Sequence, residues 1–327
     1  MANNSPIISI IVTTYNRKKY LTETIQSILD QTFIDFELIV VDNYSNYDFF
    51  QLISEFDDER IRAFQNRNNG KIGTNRNLGI KFAKGEYIAF CDDDDVWLPF
   101  KLEKQFEMFK KNCNAVIVYS DMSVMDENGQ FLRFHAMNKM KKGMIFDELL
   151  SENFVGLSSL VVKKFALLES GGFSQHFYCQ DYALILKLAA KYEFDFVDLP
   201  LVHYKEHKQN NTNNLELCYG EPIDYYKSLP LEYNFTNTQK SIWKKELSNL
   251  HVSYAFLAYL RKAYTKSNDI ISAARNLGLK SWKITFLYQV NRAPFKFFFV
   301  YMLRSQLFAR NTLWKLINKL TYQQRII

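Results

Sequence analysis

The sequence predicts an α/β fold built on an open, doubly wound sheet. Two apolar runs, "IISIIVTTYN" at 7–16 and "FELIVVDN" at 36–43, have the length and the β-branched content of buried strands. Between them, "YLTETIQSILDQT" at 20–32 repeats apolar residues at the spacing of one helical face. Uninterrupted apolar strands separated by helices are typical of a parallel sheet covered on both faces. The fold class is therefore expected to be α/β.

Composition indicates a folded chain with a sizeable core. Of its 327 residues, 47% are hydrophobic and 16% are aromatic, which suits one large domain or one domain with a helical extension. The four cysteines are widely spaced and form no CxxC pair, and no charged-then-apolar leader precedes the first strand. We therefore expect a reduced, cytoplasmic protein without a zinc site.

Positive charge is concentrated in the last part of the chain. Ten of the 41 Lys and Arg residues lie in residues 270–327, where there is no Asp or Glu, and the rest of the chain carries 31 basic and 35 acidic residues. This asymmetry indicates an acidic body with a basic tail that meets an anionic partner, either a membrane surface or a nucleic acid.

Polar residues follow three of the predicted strands at the point where each strand ends. They are Thr13, Thr14, Tyr15 and Asn16 after the first strand, Asp42 and Asn43 after the second, and Asp92–Asp95 after "YIAF". In an open α/β sheet, ligands bind in the crevice beyond the carboxyl ends of the strands. The chain has no GxGxxG after the first strand and no GxxxxGK[ST], so the dinucleotide and P-loop functions lose their main support.

The run "CDDDDVW" at 91–97 has two interpretations, a solvated acidic turn or a metal site. If the strand's alternation continues past Cys91, Asp92 and Asp94 point one way while Asp93 and Asp95 point the other. One pair could then share Mg²⁺ or Mn²⁺, which prefer oxygen ligands, and the ion would remove the repulsion between the acids. Because a buried strand leads into the run and apolar residues follow it, we favour the metal site.

Several segments together resemble the inverting family 2 glycosyltransferases, which have the GT-A fold. They are "SIIVTTYNR" at 9–17, "QTFIDFELIVVDNYSN" at 31–46, "RNLGIKFAKGEYIAFCDDDDVWLP" at 76–99, "GGF" at 171–173 and "QDYALILKLA" at 180–189. The resemblance covers roughly the first 210 residues. It implies a GT-A catalytic domain at 1–209, with a mostly parallel, helix-flanked sheet, followed by an α-helical C-terminal region at 210–327.

The resemblance also implies roles for the residues that bind the donor. Thr13 and Tyr15 would hold the nucleotide base, and Asp42 would hydrogen-bond the uracil of a UDP-sugar. Asn43 stands where the family often has a second acid, which keeps the hydrogen-bonding capacity and loses a charge. Lys71, in the loop before "RNLG", would reach the diphosphate or the base.

The aspartate run matches the family's DxD motif. Asp92 and Asp93 are then candidates for ribose or sugar contacts, and Asp94 is the preferred ligand of Mn²⁺ or Mg²⁺. With four acids in a row, the register of the motif is ambiguous by one residue. His207, in the segment that resembles the one closing the donor site, is a candidate for a further metal or diphosphate contact, whereas His203 is expected to be packed.

Inversion at an anomeric carbon requires a carboxylate that takes the proton of the attacking hydroxyl. The family supplies it from an "ED" pair before a helix, and Gln180 and Asp181 occupy that place, so Asp181 is the expected base. The replacement of the first acid by Gln180 leaves the base intact. An alternative role for Asp181 is to cap the following helix, for which Asp is favoured.

The C-terminal region carries no catalytic motif and is expected to be helical, at 238–264, 268–282 and from 294. The last stretch places apolar residues on one helical face and Lys and Arg on the other. Such a face either packs on the chain's own domain or lies on an anionic bilayer. Both alternatives remain open at this point.

Together these features predict a metal-dependent enzyme that moves a hexose or N-acetylhexosamine from a UDP-sugar to a saccharide acceptor. The acceptor would be lipid-linked and the pathway O-antigen, capsule or lipopolysaccharide synthesis, at the inner face of the cell membrane. The alternatives are a nucleotidyltransferase, which usually has a glycine-rich basic phosphate loop, and a nucleic-acid binder that uses the basic tail. Because an acidic cleft repels phosphates, we expect no nucleic-acid partner.

Overall fold

A computed structural model of the chain describes residues 5–136, 139–174, 179–210 and 214–292. These residues form two compact units. The first contains the described residues up to Leu149 together with Asn153–His207, and the second contains Leu150–Glu152 and the described residues from Lys208 onward. The assignment of independent domains at 1–209 and 210–327 remains a prediction.

The first unit is built on one sheet. Within the described residues its strands are β1 Ile8–Thr14, β2 Phe36–Asp42, β3 Ile61–Gln65, β4 Tyr87–Asp92, β5 Val96–Trp97, β6 Ala115–Met125, β7 Phe131–Phe134, β8 Val161–Lys163 and β9 Glu193–Lys205. They are arranged in the order β3-β2-β1-β4-β8-β6-β9-β5, and β7 pairs with β6. The sheet is the scaffold of an α/β fold, as predicted.

The sheet is mixed, and its long strand pairings are parallel, including that of β6 with β9. Strands β3, β2, β1 and β4 are parallel to one another, which confirms the parallel sheet predicted for the first half of the chain. Beyond them, the short strand β8 runs antiparallel to both β4 and β6, and β5 runs antiparallel to β9. Strands of two or three residues, such as β5 and β8, carry too few residues for periodicity to predict them.

Helices cover the sheet. Those that begin in the first unit are α1 Lys18–Leu29, α2 Phe49–Ser54, α3 Ile72–Phe82, α4 Lys101–Lys111, α5 Phe146–Ser151, α6 Lys164–Ser170 and α7 Gln180–Ala189. Helix α1 buries Leu21, Ile25 and Ile28, the apolar positions that predicted it, in the same core as Val12 and Val40 of the strands. Burial on both faces explains why β1 and β2 are apolar along most of their length.

The second unit is helical, as predicted. Within the described residues it contains a π-helical turn at Glu216–Gly220 and the helices α8 Glu221–Glu232, α9 Asn237–Leu260, α10 Tyr264–Asn276 and α11 Trp282–Arg292. Helix α9 begins with a capping box, in which Thr236 and Gln239 satisfy each other's backbone N–H groups. It ends at Leu260 rather than at the predicted residue 264, because Lys262 adopts a left-handed conformation with φ of 65°.

Among the helices of the described ranges, none has both the length and the apolar character needed to cross a bilayer. The predicted basic amphipathic helix from residue 294 lies outside the described residues.

Candidate active site

The carboxyl ends of β1, β2 and β4 lie side by side at one edge of the sheet. In the parallel register, Thr13 pairs with Asp92 of β4, and Thr14 pairs with Asp42 of β2. The predicted polar residues therefore converge, because parallel strands in register end together.

The aspartate run forms a turn rather than a continued strand. Strand β4 ends at Asp92, and the N–H of Asp95 donates to the carbonyl of Asp92 at 3.1 Å. The expected alternation, with Asp93 and Asp94 on opposite sides, is therefore wrong. Both carboxylates face the same guanidinium, since Nη1 of Arg17 lies 2.9 Å from Asp93 Oδ1 and 2.6 Å from Asp94 Oδ2.

Two arginines supply counter-charges to the aspartates, for which only a metal ion was predicted from the sequence. Besides Arg17, Arg76 of α3 donates to Asp92 Oδ1 at 2.6 Å. Thr14 adds a hydrogen bond of 2.7 Å to Asp93. Arg17 and Arg76 were not predicted as site residues from the sequence, although each ends or begins a segment that resembles the family. The signal that could have found them is the need of a buried acidic cluster for basic partners.

Burial perturbs the aspartates that face Arg17. It raises the pKa of Asp93 to about 6, with a further contribution from the charge of Asp94, against the opposing effects of Arg17 and Thr14. Burial together with the charge of Asp92 likewise raises the pKa of Asp94 to about 6, although Arg17 opposes the shift. The cluster therefore attracts positive charge more strongly than an exposed acidic turn would.

The fourth aspartate supports the turn. Asp95 is only 1% exposed, and burial raises its pKa well above the usual range. The Ser158 hydroxyl hydrogen-bonds this carboxyl and also accepts the N–H of Asp92 at 3.0 Å. The Asp95 carbonyl accepts a 2.7 Å hydrogen bond from Thr24 of α1. Asp95 thus holds the turn against β4 and α1.

His207 lies directly against Asp94. Its Nε2 is 3.0 Å from Asp94 Oδ2, and its ring stacks on Tyr20 of α1 with centroids 4.5 Å apart and planes inclined by 15°. Burial, reinforced by the charge of Arg17, lowers the pKa of His207. The neutral imidazole is the form that can bind a metal ion, and the stacked ring fixes its direction.

The carboxylate and imidazole groups at this edge of the sheet can bind a hard divalent cation. Across the described ranges no three His, Cys, Asp or Glu side chains converge as a full ligand set, but Asp94 and His207 form a pair. A pair suffices for Mg²⁺ or Mn²⁺, because these ions usually take one or two carboxylates and complete their shell with water and substrate phosphates. The imidazole favours Mn²⁺ over Mg²⁺.

The expected base, Asp181, lies in the first turn of α7, whose N-cap is Cys179. The alternative of Asp181 as the N-cap residue is therefore wrong, although a carboxylate in the first turn still interacts well with the helix dipole. Burial raises the pKa of Asp181, the charge of Arg76 lowers it, and that of Asp92 raises it. Asp181 is therefore close enough to Arg76 and Asp92 for their charges to affect its pKa.

Gln180 is buried beside the base and packs closely on α3. A Cβ atom at Gly73 would lie 1.9 Å from Gln180 Oε1, so glycine is required for this approach. Gln180 Oε1 has no hydrogen-bond partner among the described residues. A neutral amide costs less to bury in that position than the carboxylate of the usual "ED" pair.

The residues expected to bind the nucleotide base differ in their exposure to solvent. Thr13 is buried, Tyr15 is 54% exposed, and Asp42 is fully buried. Oδ2 of Asp42 accepts hydrogen bonds of 2.9 Å from both the Ser45 N–H and Gln65. Contact of Asp42 with a uracil therefore requires rearrangement of these partners.

Two further polar residues, Asn43 and Lys71, were expected to lie near the nucleotide. Asn43 accepts the N–H of Asn68 at 2.9 Å and so organises the loop that precedes α3. Lys71 is exposed at the N-cap position of α3, without a side-chain cap.

A family model described as glycosyl transferase family 2 matches residues 9–194, which include the aspartate turn and Asp181. The chain belongs to this family, and its fold is the GT-A fold.

Two curated relatives illustrate the membership. An uncharacterized glycosyltransferase of Methanocaldococcus jannaschii is 33% identical over 213 residues, which cover 64% of this chain and 73% of the relative. The Escherichia coli UDP-Glc:alpha-D-GlcNAc-diphosphoundecaprenol beta-1,3-glucosyltransferase WfgD is 32% identical over 158 residues, which cover 48% of this chain and 60% of WfgD. The alignment thus spans less than two thirds of WfgD.

Solved structures with the same fold share little sequence. Residues 1–349 of S. aureus TarS, in complex with UDP-GlcNAc, superpose with a TM-score of 0.64 at 19% identity, covering 87% of this chain and 90% of that chain. The mannosyltransferase PcManGT of Pyrobaculum calidifontis, in complex with GDP-Man and Mn²⁺, superposes with a TM-score of 0.59 at 16% identity, covering 88% and 85% of the two chains. These similarities establish the architecture of the chain.

Proposed function

We propose that the chain is a metal-dependent inverting glycosyltransferase that moves a hexose or N-acetylhexosamine from a UDP-sugar to a saccharide hydroxyl. The observation that carries this proposal is the Asp94–His207 pair, at 3.0 Å, beside the converging ends of β1, β2 and β4. It combines the ligands of a hard cation with a crevice of the kind that binds nucleotides in open α/β sheets.

The donor would be held by its diphosphate and its nucleoside. Asp94 and His207 would hold Mn²⁺ or Mg²⁺, and a bound ion would supply positive charge to the leaving diphosphate. Asp92 and Asp93 would accept hydrogen bonds from ribose or sugar hydroxyls, while Thr13 and Tyr15 would contact the base. The pairing of Asp92 with Arg76 keeps that carboxylate in one position for the contact.

The acceptor would be activated by Asp181. Its carboxylate takes the proton of the acceptor hydroxyl, the hydroxyl oxygen bonds to the anomeric carbon, and the bond from that carbon to the diphosphate breaks. The leaving group departs on the opposite face, so the configuration inverts. Arg76 supports this role because its charge lowers the pKa of Asp181 against the effect of burial and keeps more of the base ionised.

The choice of a UDP-sugar is supported by two of the similar proteins. WfgD is described as using UDP-Glc, and the TarS structure contains UDP-GlcNAc. The PcManGT structure contains GDP-Man and Mn²⁺, which supports the divalent ion and makes a guanine nucleotide an outcome to be tested.

The acceptor is proposed to be lipid-linked, in the synthesis of a bacterial surface polysaccharide. The description of WfgD as acting on a diphosphoundecaprenol-linked sugar supports this, and a relative described as the O-antigen glycosyltransferase WbnJ is 29% identical over 230 residues. Such an acceptor would place the enzyme peripherally at the inner face of the membrane.

Contact with an anionic bilayer is supported by charge and by exposed aromatic groups. Residues 270–327 carry ten basic and no acidic side chains. On α11, Trp282 is 74% exposed and Phe286 is also exposed, with Lys283 between them in sequence. Removal of 290–327 should release the protein from anionic liposomes while a soluble acceptor analogue is still used, and unchanged liposome binding would contradict the membrane role.

The donor is identified by screening UDP- and GDP-sugars for release of the nucleoside diphosphate in the presence of Mn²⁺. The expected result is hydrolysis of one UDP-sugar that stops when the ion is chelated and that is lost in Asp94→Ala. Hydrolysis of no nucleotide sugar, with or without a divalent ion, would contradict the proposed function.

A further inference from the structure

The guanidinium of Arg17 lies between two carboxylates of the site, those of Asp93 and Asp94. Its Nη1 contacts Asp93 Oδ1 at 2.9 Å and Asp94 Oδ2 at 2.6 Å. The same Asp94 Oδ2 lies 3.0 Å from His207 Nε2. One carboxylate oxygen is therefore shared by the arginine and by the imidazole that would bind a metal ion with it.

Occupation by Arg17 and occupation by a divalent ion conflict. A metal ion on Asp94 Oδ2 would come close to the guanidinium that lies 2.6 Å from the same oxygen, and the two positive groups would repel each other. Both carboxylates face the same Nη1, so without a cation between them Asp93 and Asp94 would repel each other. Binding of a divalent ion is therefore expected to weaken the contact between Arg17 and Asp94.

We infer that Arg17 is an exchangeable counter-cation, which neutralises the aspartates before donor binding and yields Asp94 to the divalent ion as the donor's diphosphate takes up its guanidinium. This inference rests on the proposed function, because it assigns a residue to the donor site described above. In this role Arg17 couples the binding of the ion to the binding of the nucleotide.

Arg17 is built for such an exchange. Its backbone is fixed, since its carbonyl accepts the N–H of Leu21 and begins α1. Its side chain is 19% exposed, so the guanidinium can turn outward without unfolding the helix. The planar fork of an arginine pairs with phosphate oxygens in the same way as with carboxylates, which gives the displaced group a matching partner in the diphosphate.

Arg17→Gln separates this role from a structural one. Without the competing charge, the variant should bind Mn²⁺ alone at least about fivefold more tightly than the wild type, which is the scale of a typical coupling between two sites. In the presence of saturating Mn²⁺ it should bind UDP more weakly, because the diphosphate loses its arginine. Mn²⁺ binding is followed by electron paramagnetic resonance, and UDP binding by titration calorimetry.

Arg60→Gln is the matched control. It removes the same charge from an arginine of the same unit, whose Nη2 pairs with Asp58 at 2.7 Å outside the proposed site. It should change neither the affinity for Mn²⁺ nor that for UDP.

The opposite signs of the two effects are the decisive result. Loss of affinity for both ligands, or no gain in Mn²⁺ affinity, would overturn the exchange, as would a wild-type chain that binds no Mn²⁺ with or without UDP. Neither measurement requires an acceptor or turnover. A chain that shows both effects but transfers no sugar would overturn the proposed reaction alone, and an active chain without them would overturn the exchange alone.

A second measurement on the wild-type chain does not depend on the stability of Arg17→Gln. With ¹⁵N-labelled arginine, the side-chain resonance of Arg17 is identified by its loss in Arg17→Lys, and Mg²⁺ and UDP are then added. The resonance should shift on addition of Mg²⁺ and shift again on addition of UDP. An unchanged resonance at saturating Mg²⁺ would overturn the exchange.

Discussion

His207 Nε2 lies 3.0 Å from Asp94 Oδ2, although the two residues are 113 positions apart in sequence. The sheet explains this proximity. Strand β5 follows the aspartates directly and pairs antiparallel with β9, so that Val96 lies opposite His203. The C-terminal end of β9 therefore lies near the aspartate turn, and His207, which follows this strand, lies next to Asp94.

Replacement of His207 by Ala should weaken Mn²⁺ binding by about tenfold or more, because it removes one of two proposed protein ligands. His203→Ala is the matched control, since His203 lies in β9 opposite Val96 and its pKa is lowered by burial. Metal titrations of both variants test the assignment. Equal loss of affinity in the two variants would show that His207 has no special role.

Asp181→Asn should reduce the rate of transfer by roughly 100- to 10,000-fold, the range that general-base catalysis contributes. The amide is nearly isosteric with the carboxylate but cannot accept the acceptor's proton. Binding of UDP should be retained, because the donor contacts are assigned to other residues. Turnover within tenfold of the wild type would reject Asp181 as the base.

Arg76→Gln should move the acid limb of the pH profile of kcat/KM to higher pH. The base acts when ionised, so activity falls as the pH falls through its pKa. Burial raises that pKa and the charge of Arg76 lowers it, so loss of Arg76 raises it further. Because Arg76 also pairs with Asp92, the maximal value of kcat/KM above the acid limb is expected to fall as well. An acid limb that stays in place or moves to lower pH would contradict the electrostatic role.

Gly73→Ala should lower activity by displacing the neighbour of the base. The new Cβ would lie 1.9 Å from Gln180 Oε1 and 3.0 Å from Phe173 Cβ, so the Gln180 side chain must move. Combination with Gln180→Ala should restore part of the activity by making room. The measurement is kcat for the single and double variants, and a single variant with unchanged kcat would reject the coupling.

Gly79→Ala is the control for that experiment, because it lies on the same helix and crowds the core instead. Its Cβ would lie 2.5 Å from Ile11 Cγ2, an overpacking that should cost about 1–3 kcal/mol of unfolding free energy. Thermal or denaturant unfolding should report a larger loss for Gly79→Ala than for Gly73→Ala, whose neighbour is a side chain with more freedom to move.

The parallel half of the fold and the place of the site were predictable from local patterns. Long apolar strands such as β1 and β2, and the acids that follow them, are visible in a single stretch of sequence. Parallel register then brings Thr13 and Asp92 together. The resemblance to the family added Asp181 and His207, which no local pattern identifies.

The partners of the aspartates were not predictable in the same way. Arg17 and Arg76 become counter-charges through the packing of α1 and α3 beside β4, a relation between distant segments. The turn at Asp92–Asp95 ends the alternation of β4 one residue into the acidic run, and its stabilisation by Ser158 comes from a segment more than 60 residues away. Repulsion among the four aspartates predicted a nearby cation, but it did not distinguish an arginine from a metal ion.

The most direct test of the account is the anomeric configuration of the product, read by ¹H NMR after transfer from an α-linked UDP-sugar. A single base on the acceptor side predicts a β-linked product and its loss in Asp181→Asn. An α-linked product would contradict the inverting mechanism and the role of Asp181 together.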